Sequence, residues 1–483
     1  MTRQAGAGWR QPGKVARRVA HNTLYLLLAD LASKLMMFVF YVFSARHLGV
    51  EKFGLFSFAL AFVNMFSILA DLGLGGLVAR EIAKRPAAAY QIVGTGLSIK
   101  LAVSLLVIGA IMLTATLLGY ETTTRTVLAI CSLFVIETAF TQYSASVFQG
   151  MERMEFTAIG RIPQAVILVL GVFLLARGPA VVQHYALLYV TAGFVSTVLV
   201  VGIVARRVAP LRLNARLKEW WLLLGPALPF GISGVLVTLY YWNGSTLLSR
   251  LAGDAAVGIY SAPFRLVMGL ASLGMAFAGS MYPVMSSSHH ECPELTERVL
   301  LRATRYMLVL VLPIAVVAAV FADRLVLLVY GSEFAGSIPV MRILVAWCAC
   351  ACLNGLLSNY FFARGRARAV SWQAGISLAV SVALNILLIP KWAAMGAAGA
   401  ILAAEAVGLI FLVARRPART SALIPIEVLN TGLRVLAATL VAAGAGWVVG
   451  LRSFAAGIVT SICLYVPALL LFRALNAADW DNI

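Results

Sequence analysis

The sequence predicts an all-α protein that crosses a membrane about fourteen times, with both termini in the cytoplasm. Of its 483 residues, 61% are hydrophobic and only 12% are charged, and the mean hydropathy is +0.93. A soluble domain has about 25% charged residues, and so much apolar surface would leave large exposed patches on any soluble fold. The apolar residues also form runs of about 20, the length that spans a bilayer. These observations exclude a soluble enzyme, a disordered chain and a secreted disulfide scaffold.

The predicted elements follow one another from a basic N-terminal tail, residues 1–21. The apolar run after this tail is too long for a signal-peptide core and is followed by no small-residue cleavage site, so we expect an uncleaved first span. The fourteen spans cover approximately 22–45, 54–78, 92–118, 126–148, 162–177, 183–205, 221–248, 262–286, 304–328, 339–362, 370–389, 396–414, 432–450 and 454–472. Twelve spans are the alternative, because only three residues separate the last pair.

The distribution of basic residues predicts the orientation of the chain. With the N-terminus inside, the cytoplasmic side carries 26 of the 38 Lys and Arg residues and the external loops carry 7, as the positive-inside rule requires. The formal charge of +19 therefore reflects topology and not nucleic-acid binding. We predict a basic tail, a lobe of six spans, a basic linker, a second lobe of six spans, a cytoplasmic loop, a final pair of spans and a cytoplasmic tail, with bounds 1–21, 22–205, 206–220, 221–414, 415–431, 432–472 and 473–483.

A repeated segment indicates that the two lobes are copies of one unit. Residues 46–57 read RHLGVEKFGLFS, and residues 250–261, offset by 204, read RLAGDAAVGIYS. The arginine, both glycines and the serine are identical, and both copies follow odd-numbered spans on the same side of the membrane. A chance match between two glycine-rich turns is the alternative. A true duplication predicts a parallel repeat with a pseudo-two-fold axis along the membrane normal.

Basic side chains inside the predicted spans are candidates for function, because a charge in hydrocarbon costs about 2.5–3.5 kcal/mol or more unless it meets a partner or water. Lys34 lies near the middle of the first span, and Asp30 precedes it by four residues on the same helix face. Neutralisation within the helix and a water-filled cavity both explain this pair. Arg265 begins the eighth span and Lys100 lies in the third, and both could instead extend to the membrane surface.

Acidic and polar side chains form a second set of candidates. Ser57, Asn64 and Asp71 occur at seven-residue steps and so make one polar stripe along the second span. Glu137 lies near the middle of the fourth span. Glu405 lies in the middle of the twelfth, where we interpret it as a packing carboxylate that holds a proton at little cost.

Other chemistries find little support in the sequence. Cys348, Cys350 and Cys352 lie inside one apolar helix, where cysteine acts as a small hydrophobe, and a metal site is the alternative. No loop exceeds about 20 residues and no phosphate-binding G-x-x-x-x-G-K-[ST] motif occurs, so we expect neither ATP hydrolysis nor a cofactor. The external loops are too short for a sugar-transferring active site, and we therefore predict that the protein is not an enzyme.

Short motifs occur in a fixed order at the ends of the predicted spans. They are Ala45–Gly49 with Phe53–Gly54, Asp71–Leu74 with Arg80–Glu81, Gln149–Met154, Gly258–Tyr260 and Tyr330–Phe334. Their order and placement resemble the polysaccharide flippases, the O-antigen and capsule repeat-unit transporters of the multidrug/oligosaccharidyl-lipid/polysaccharide exporter superfamily. The resemblance extends over about three-quarters of the chain, and the last two spans carry no matching motif.

This resemblance implies a V-shaped, two-lobed bundle in the inner (plasma) membrane that alternates between inward-open and outward-open states. It implies a polyprenyl-pyrophosphate-linked oligosaccharide as the substrate, moved from the cytoplasmic leaflet to the outer leaflet. It further implies a cationic cavity and an ion gradient as the driving force. Membrane lipid, the coupling proton or sodium ion and a polysaccharide polymerase are the expected partners.

The residues themselves suggest how such a substrate would be bound. A pyrophosphate is an anion, which lysine contacts as a point charge and arginine as a fork of donors. A buried carboxylate can carry the coupling ion. The substrate candidates are Lys34, Arg265, Lys100 and Asn64, and the ion-coupling candidates are Asp30, Asp71 and Glu137.

Three other functions remain open from the sequence. A multidrug or cation antiporter of the multidrug and toxin extrusion type predicts an acid-dominated cavity and no requirement for Lys34. A flippase for the peptidoglycan lipid precursor has the same predicted architecture. A membrane-embedded glycosyltransferase or polymerase requires catalytic residues in an external loop, and these loops are short.

Overall fold

The structure, a computed structural model, describes residues 12–71, 73–85, 89–153, 155–208, 216–291, 293–416 and 426–472. Residues 1–11 of the predicted basic tail, all of the predicted tail 473–483, and the stretches 209–215 and 417–425 of the predicted linker and loop lie outside the described residues. Within the described residues the chain is helical and contains no strand. The all-α class that the composition predicts is confirmed.

The described residues form fourteen α-helices, two of them only 11 residues long and one only 9. In chain order they are α1 (Pro12–Ser67), α2 (Leu74–Lys84), α3 (Ala89–Leu117), α4 (Thr122–Ser132), α5 (Phe134–Gly150), α6 (Glu155–Leu175), α7 (Val182–Arg207), α8 (Leu217–Glu291), α9 (Pro293–Val320), α10 (Ala322–Tyr330), α11 (Ser337–Ala363), α12 (Ala367–Ala414), α13 (Ile426–Gly450) and α14 (Phe454–Leu471).

Eleven helical segments of the described chain are long and apolar enough to cross a membrane. Three of them have 41, 56 and 48 residues, which at 1.5 Å per residue is about two to three times the 30 Å thickness of a bilayer core. Each of these three contains a break in its helical backbone, at Gly49, Gly253 and Ala393. Two crossings in each would give the fourteen that the sequence predicts, and the number of crossings and their orientation stay predictions.

The helices group into two compact units. Unit 1 comprises Met1–His47 and Val63–Val235, and unit 2 comprises Leu48–Phe62 and Leu236–Ile483. One buried cluster of unit 1 contains Tyr143 of α5, which lies among apolar side chains and donates its hydroxyl proton to the carbonyl of Ile92 at 2.8 Å. Gly96 of α3 leaves room for this phenol, since a Cβ there would lie 1.9 Å from the tyrosine oxygen.

In unit 2 the last two helices pack against α9. Val435 and Ala438 of α13 form a buried cluster with Ala468 and Leu469 of α14. The hydroxyl of Tyr465 donates to the carbonyl of Val309 at 2.7 Å. The final helix pair is therefore part of the packed core of unit 2.

The two repeated turns adopt the same backbone conformation. Gly49 has φ 73° and ψ 176°, and Gly253, 204 residues later, has φ 82° and ψ 172°. Glycine reaches positive φ without the steric cost that a Cβ imposes. The shared conformation supports a duplication over a chance match between glycine-rich turns.

Candidate functional site

Two basic side chains in unit 1 share one carboxylate. Lys34 Nζ lies 2.8 Å from Asp30 Oδ2, the pairing that their spacing on α1 predicts, and Arg161 NH1 of α6 lies 2.8 Å from Asp30 Oδ1. The side chains are 56% exposed at Lys34, 55% at Arg161 and 34% at Asp30. Arg161 directly precedes the predicted span 162–177, and in the structure it lies within α6, which begins at Glu155. The group carries two positive charges and one negative charge.

A second ion pair in unit 1 is almost wholly internal. Lys100 Nζ of α3 donates to Asp71 Oδ1 at 2.6 Å, to the carbonyl of Ala70 at 3.0 Å and to that of Asp71 at 3.3 Å. These bonds use all three ammonium donors, and the side chain is fully buried. The carbonyls belong to the end of the helical turn Ile68–Ala70, where a cation is favourable. The alternative that Lys100 extends to the membrane surface does not agree with this buried position.

Glu137 of α5 lies buried in unit 1 with few hydrogen bonds. It is 4% exposed. Its Oε1 accepts from Gln164 Nε2 of α6 at 3.3 Å, and its Oε2 has no hydrogen-bond partner among the described residues. The carboxyl group packs against the backbone of Gly193 of α7, where an added Cβ would lie 2.3 Å from Oε2. The structure thus contains a buried carboxylate with one long hydrogen bond.

Arg265 of α8 lies in unit 2 beside residues from the first copy of the repeat. Its NH2 donates to Ser57 Oγ at 3.5 Å, and its guanidinium carbon lies 5.9 Å from the centre of the Phe53 ring. A guanidinium over an aromatic face gains a cation–π attraction. Asn64, on the same stripe as Ser57 in the sequence, is half-buried and belongs to unit 1.

The carboxylate predicted from the sequence to be a packing residue lies at the centre of a polar network. Glu405 of α12 is 4% exposed. The hydroxyl of Tyr240 on α8 donates to its Oε2, and the amide of Asn354 on α11 donates to its Oε1 at 2.6 Å. The same amide reaches the carbonyl of Glu405 at 2.9 Å. Three helices of unit 2 therefore meet at this side chain.

The two copies of the repeat touch through their second glycines. We call the pairs Gly54 with Asp254 and Gly258 with Val50 the glycine contact. A Cβ at Gly54 would lie 1.8 Å from the carbonyl oxygen of Asp254, and a Cβ at Gly258 would lie 2.0 Å from that of Val50. Because 50 and 54 become 254 and 258 at the offset of 204, the two halves of the contact are equivalent. Only glycine allows so close an approach.

The Tyr330–Phe334 motif lies beside the glycine contact in unit 2. The hydroxyl of Tyr330 donates to the carbonyl of Ala262 at 2.8 Å. The rings of Phe334 and Phe53 meet edge to face with centroids 6.1 Å apart. Three motifs that are far apart in the sequence thus form one packed region.

An acid-centred cluster in unit 2 was not predicted from the sequence. Glu297, at the start of α9, is 5% exposed and accepts from the hydroxyl of Tyr360 at 2.7 Å and from Arg416. Arg364 in turn donates to the oxygen of Tyr360. Burial lowers the pKa of the Arg416 guanidinium. The cluster connects α9 with residues that follow α11 and α12, and only the tertiary structure brings these short polar segments together.

Metal ligands do not gather in the part of the chain that the structure describes. There, no group of three or more His, Cys, Asp and Glu side chains is arranged to hold a metal ion. Cys348, Cys350 and Cys352 all lie on α11 with free thiols.

A comparison with known families decides where this chain belongs. A model of the family described as polysaccharide biosynthesis protein matches residues 19–289, which is more than half of the chain. The chain belongs to the polysaccharide biosynthesis protein family. The matched segment includes both copies of the repeat and the residues Asp30, Lys34, Glu137 and Arg265. The family resemblance that the motifs predict is confirmed.

Relatives of this polysaccharide biosynthesis protein agree with the family match. The chain is 25% identical over 398 residues to the "Probable low-salt glycan biosynthesis flippase" of Haloferax volcanii, covering 81% of this chain and 82% of the relative. The solved structure of the lipid II flippase MurJ in an inward closed conformation covers 93% of this chain and 99% of its own, with a TM-score of 0.76 at 14% identity. An inward-facing multidrug resistance MATE family transporter covers 81% of this chain and 96% of its own, with a TM-score of 0.66 at 15% identity.

These likenesses establish the fold. The chain is a multi-span membrane protein with the helical architecture of MurJ and the MATE transporters, as the sequence predicts. An inner-membrane location agrees with the family and with the curated relative.

Proposed function

We propose that this polysaccharide biosynthesis protein is a flippase that moves polyprenyl-pyrophosphate-linked oligosaccharide repeat units from the cytoplasmic to the outer leaflet. It does so by alternating access, driven by an ion gradient, and catalyses no reaction. Family membership, a curated relative named as a glycan biosynthesis flippase, and a fold like that of a lipid-translocating protein support this function.

The observation that carries the proposal is the group of Lys34, Arg161 and Asp30. One carboxylate between two cations leaves a net positive charge at side chains that are about half exposed. Each cation uses one donor on Asp30, whereas lysine has three donors and arginine five. The remaining donors suit the oxygens of a pyrophosphate. We therefore add Arg161 to the proposed substrate contacts.

Two of the other substrate candidates retain their proposed roles. Arg265, in unit 2, has a guanidinium that suits phosphate oxygens, and Asn64, in unit 1, has an amide that suits sugar hydroxyls. Lys100 is placed outside the proposed substrate site, because Asp71 and Ala70 take up all three of its donors.

The proposed ion-coupling carboxylate of unit 1 is Glu137. Asp30 and Asp71 each lie within 2.8 Å of a basic nitrogen, so binding another cation at either one would disturb an existing ion pair. Glu137 has no basic partner in the described residues and one oxygen without a hydrogen bond. It is therefore the candidate of the three whose charge state can change with the least loss of existing contacts. The coupling ion is a proton or sodium.

Export of the lipid-linked glycan tests the proposed function. In cells that depend on this protein for surface glycan, we expect Lys34→Gln and Arg161→Gln to reduce export, and the double variant to reduce it by at least about tenfold. A hydrogen bond to a charged group contributes about 1.5–3 kcal/mol, and 1.4 kcal/mol corresponds to a factor of ten. The measurement is surface glycan normalised to the amount of protein in the membrane.

Lys84→Gln is the matched control. Lys84 is 51% exposed and pairs with Glu81 three residues away at 3.4 Å, so its loss removes a similar surface pair outside the proposed site. Export that stays normal in the double variant would contradict the substrate role. Drug efflux that persists in these variants without any glycan export would instead favour the multidrug antiporter.

A further inference from the structure

Glu405 has surroundings that are unusual for a carboxylate. It lies in the 48-residue helix α12, and its neighbours Ala404 and Ile401 are buried as well. Placing a charge in such an environment is costly unless an opposite charge compensates it. The physical question is therefore which group compensates the charge of Glu405.

The groups around Glu405 are all neutral donors or weak acids. Tyr240 and Asn354 bind its two carboxyl oxygens. Tyr241 from α8, and Cys350 and Cys352 from α11, also lie close enough to interact electrostatically with Glu405. No lysine or arginine pairs with Glu405 in the described part of unit 2. The surroundings can therefore hydrogen-bond a carboxylate, but they cannot neutralise it.

The hydroxyl of Tyr240 has two acceptors within reach but only one proton. It donates to Glu405 Oε2, and it lies 3.3 Å from the carbonyl oxygen of Ile401. If Glu405 Oε2 carries a proton, the carboxyl group donates to the tyrosine oxygen and the tyrosine donates to Ile401. If Glu405 is ionised, the tyrosine proton turns to the carboxylate. The network thus has one complete arrangement for each protonation state.

We propose that Glu405 is a proton-binding site of the transport cycle, taking up one proton from water to form the neutral carboxyl group and returning it in another conformation. This inference rests on the proposed function, and it identifies the proton as a coupling ion. The ionised form needs both Tyr240 and Asn354 as donors, whereas the neutral form lets Tyr240 bind Ile401. Proton occupancy thereby changes how α8 is held against α12, and α8 also carries Arg265.

Infrared difference spectra of the full-length protein in liposomes, recorded between two pH values, test the proton site without any glycan. We expect a carbonyl band from a protonated carboxyl group that Glu405→Gln removes. Tyr240→Phe removes the hydrogen-bond partner and shifts the frequency of the same band. Glu297→Gln is the matched control, because it replaces a similarly buried glutamate that is bound by Arg416 and Tyr360 and leaves this band in place.

Gradient-driven export then connects the site to transport. We expect an imposed proton gradient to stimulate glycan export by the wild-type protein. In Glu405→Gln we expect this stimulation to be at least about tenfold smaller. A folded Glu405→Gln protein with an unchanged spectrum would overturn the inference, and so would a Tyr240→Phe protein whose band keeps its frequency. A normal proton band in a protein that moves no lipid-linked glycan would refute the proposed function and leave the proton site standing.

Discussion

The two buried glutamates, Glu137 in unit 1 and Glu405 in unit 2, are each 4% exposed but have different hydrogen bonds. Glu137 accepts one bond of 3.3 Å and has an unpartnered oxygen. Glu405 accepts from Tyr240 and Asn354 on two other helices. Equal burial therefore does not imply equal chemistry. A carboxylate with donors at both oxygens is already hydrogen-bonded by the protein, whereas one with a single long hydrogen bond gains more from binding an ion.

Replacing each glutamate with alanine should give the largest difference in stability between the two sites. Glu405→Ala leaves the Tyr240 hydroxyl and the Asn354 amide without their carboxylate, and each unsatisfied buried group costs about 1–3 kcal/mol. We expect the free energy of unfolding to fall by roughly 2–6 kcal/mol. For Glu137→Ala, which frees only Gln164, we expect roughly 1–3 kcal/mol. Denaturant unfolding in mixed micelles measures both, and equal losses would contradict the comparison.

The close packing of Glu137 against a glycine gives the second prediction. Gly193→Ala places a Cβ 2.3 Å from Glu137 Oε2, and such overpacking costs about 1–3 kcal/mol. Gly202→Ala on the same helix α7 is the control, because a Cβ there has nothing within 4 Å and alanine favours a helix by about 0.5–1 kcal/mol. We expect Gly193→Ala to lower the midpoint of thermal unfolding and Gly202→Ala to raise it. A stabilising Gly193→Ala would show that Glu137 has room to move.

The hydrogen bond between Gln164 and Glu137 gives the smallest expected effect. Gln164→Leu removes the single 3.3 Å bond to Glu137, and a neutral donor of this kind contributes about 0.5–1.5 kcal/mol. In a double-mutant cycle with Glu137→Ala, which removes the acceptor, we expect an interaction energy in that range. An interaction energy above about 3 kcal/mol would mean that Gln164 stabilises an ionised Glu137, and the contrast with Glu405 would then disappear.

Local patterns predicted the features that depend on residues close in sequence. The four-residue spacing of Asp30 and Lys34 predicted their ion pair, because positions i and i+4 share a helix face. The two glycine-rich turns predicted the repeat, because a turn with the same backbone conformation needs glycine at the same position in each copy. The apolar runs and the family motifs likewise predicted the membrane fold.

The partners that come from other helices could not be predicted from one sequence. Arg161 meets Asp30 across 131 residues, and Asn354 meets Glu405 across 51. Nothing in the local pattern states which helices are neighbours or how they are rotated. The same limit left both interpretations of Lys100 open, since its position in α3 gives no sign that Ala70 and Asp71, which follow α1, lie beside it.

The glycine contact has a consequence for the origin of the chain. Each copy of the repeat supplies one glycine and one carbonyl, and each glycine receives the carbonyl of the other copy. Two separate molecules related by a two-fold axis would make the same paired contact from a single sequence, because such an interface uses one surface twice. The contact between residues 50–54 and 254–258 therefore has, within one polypeptide, the reciprocal pattern of an interface between two identical subunits.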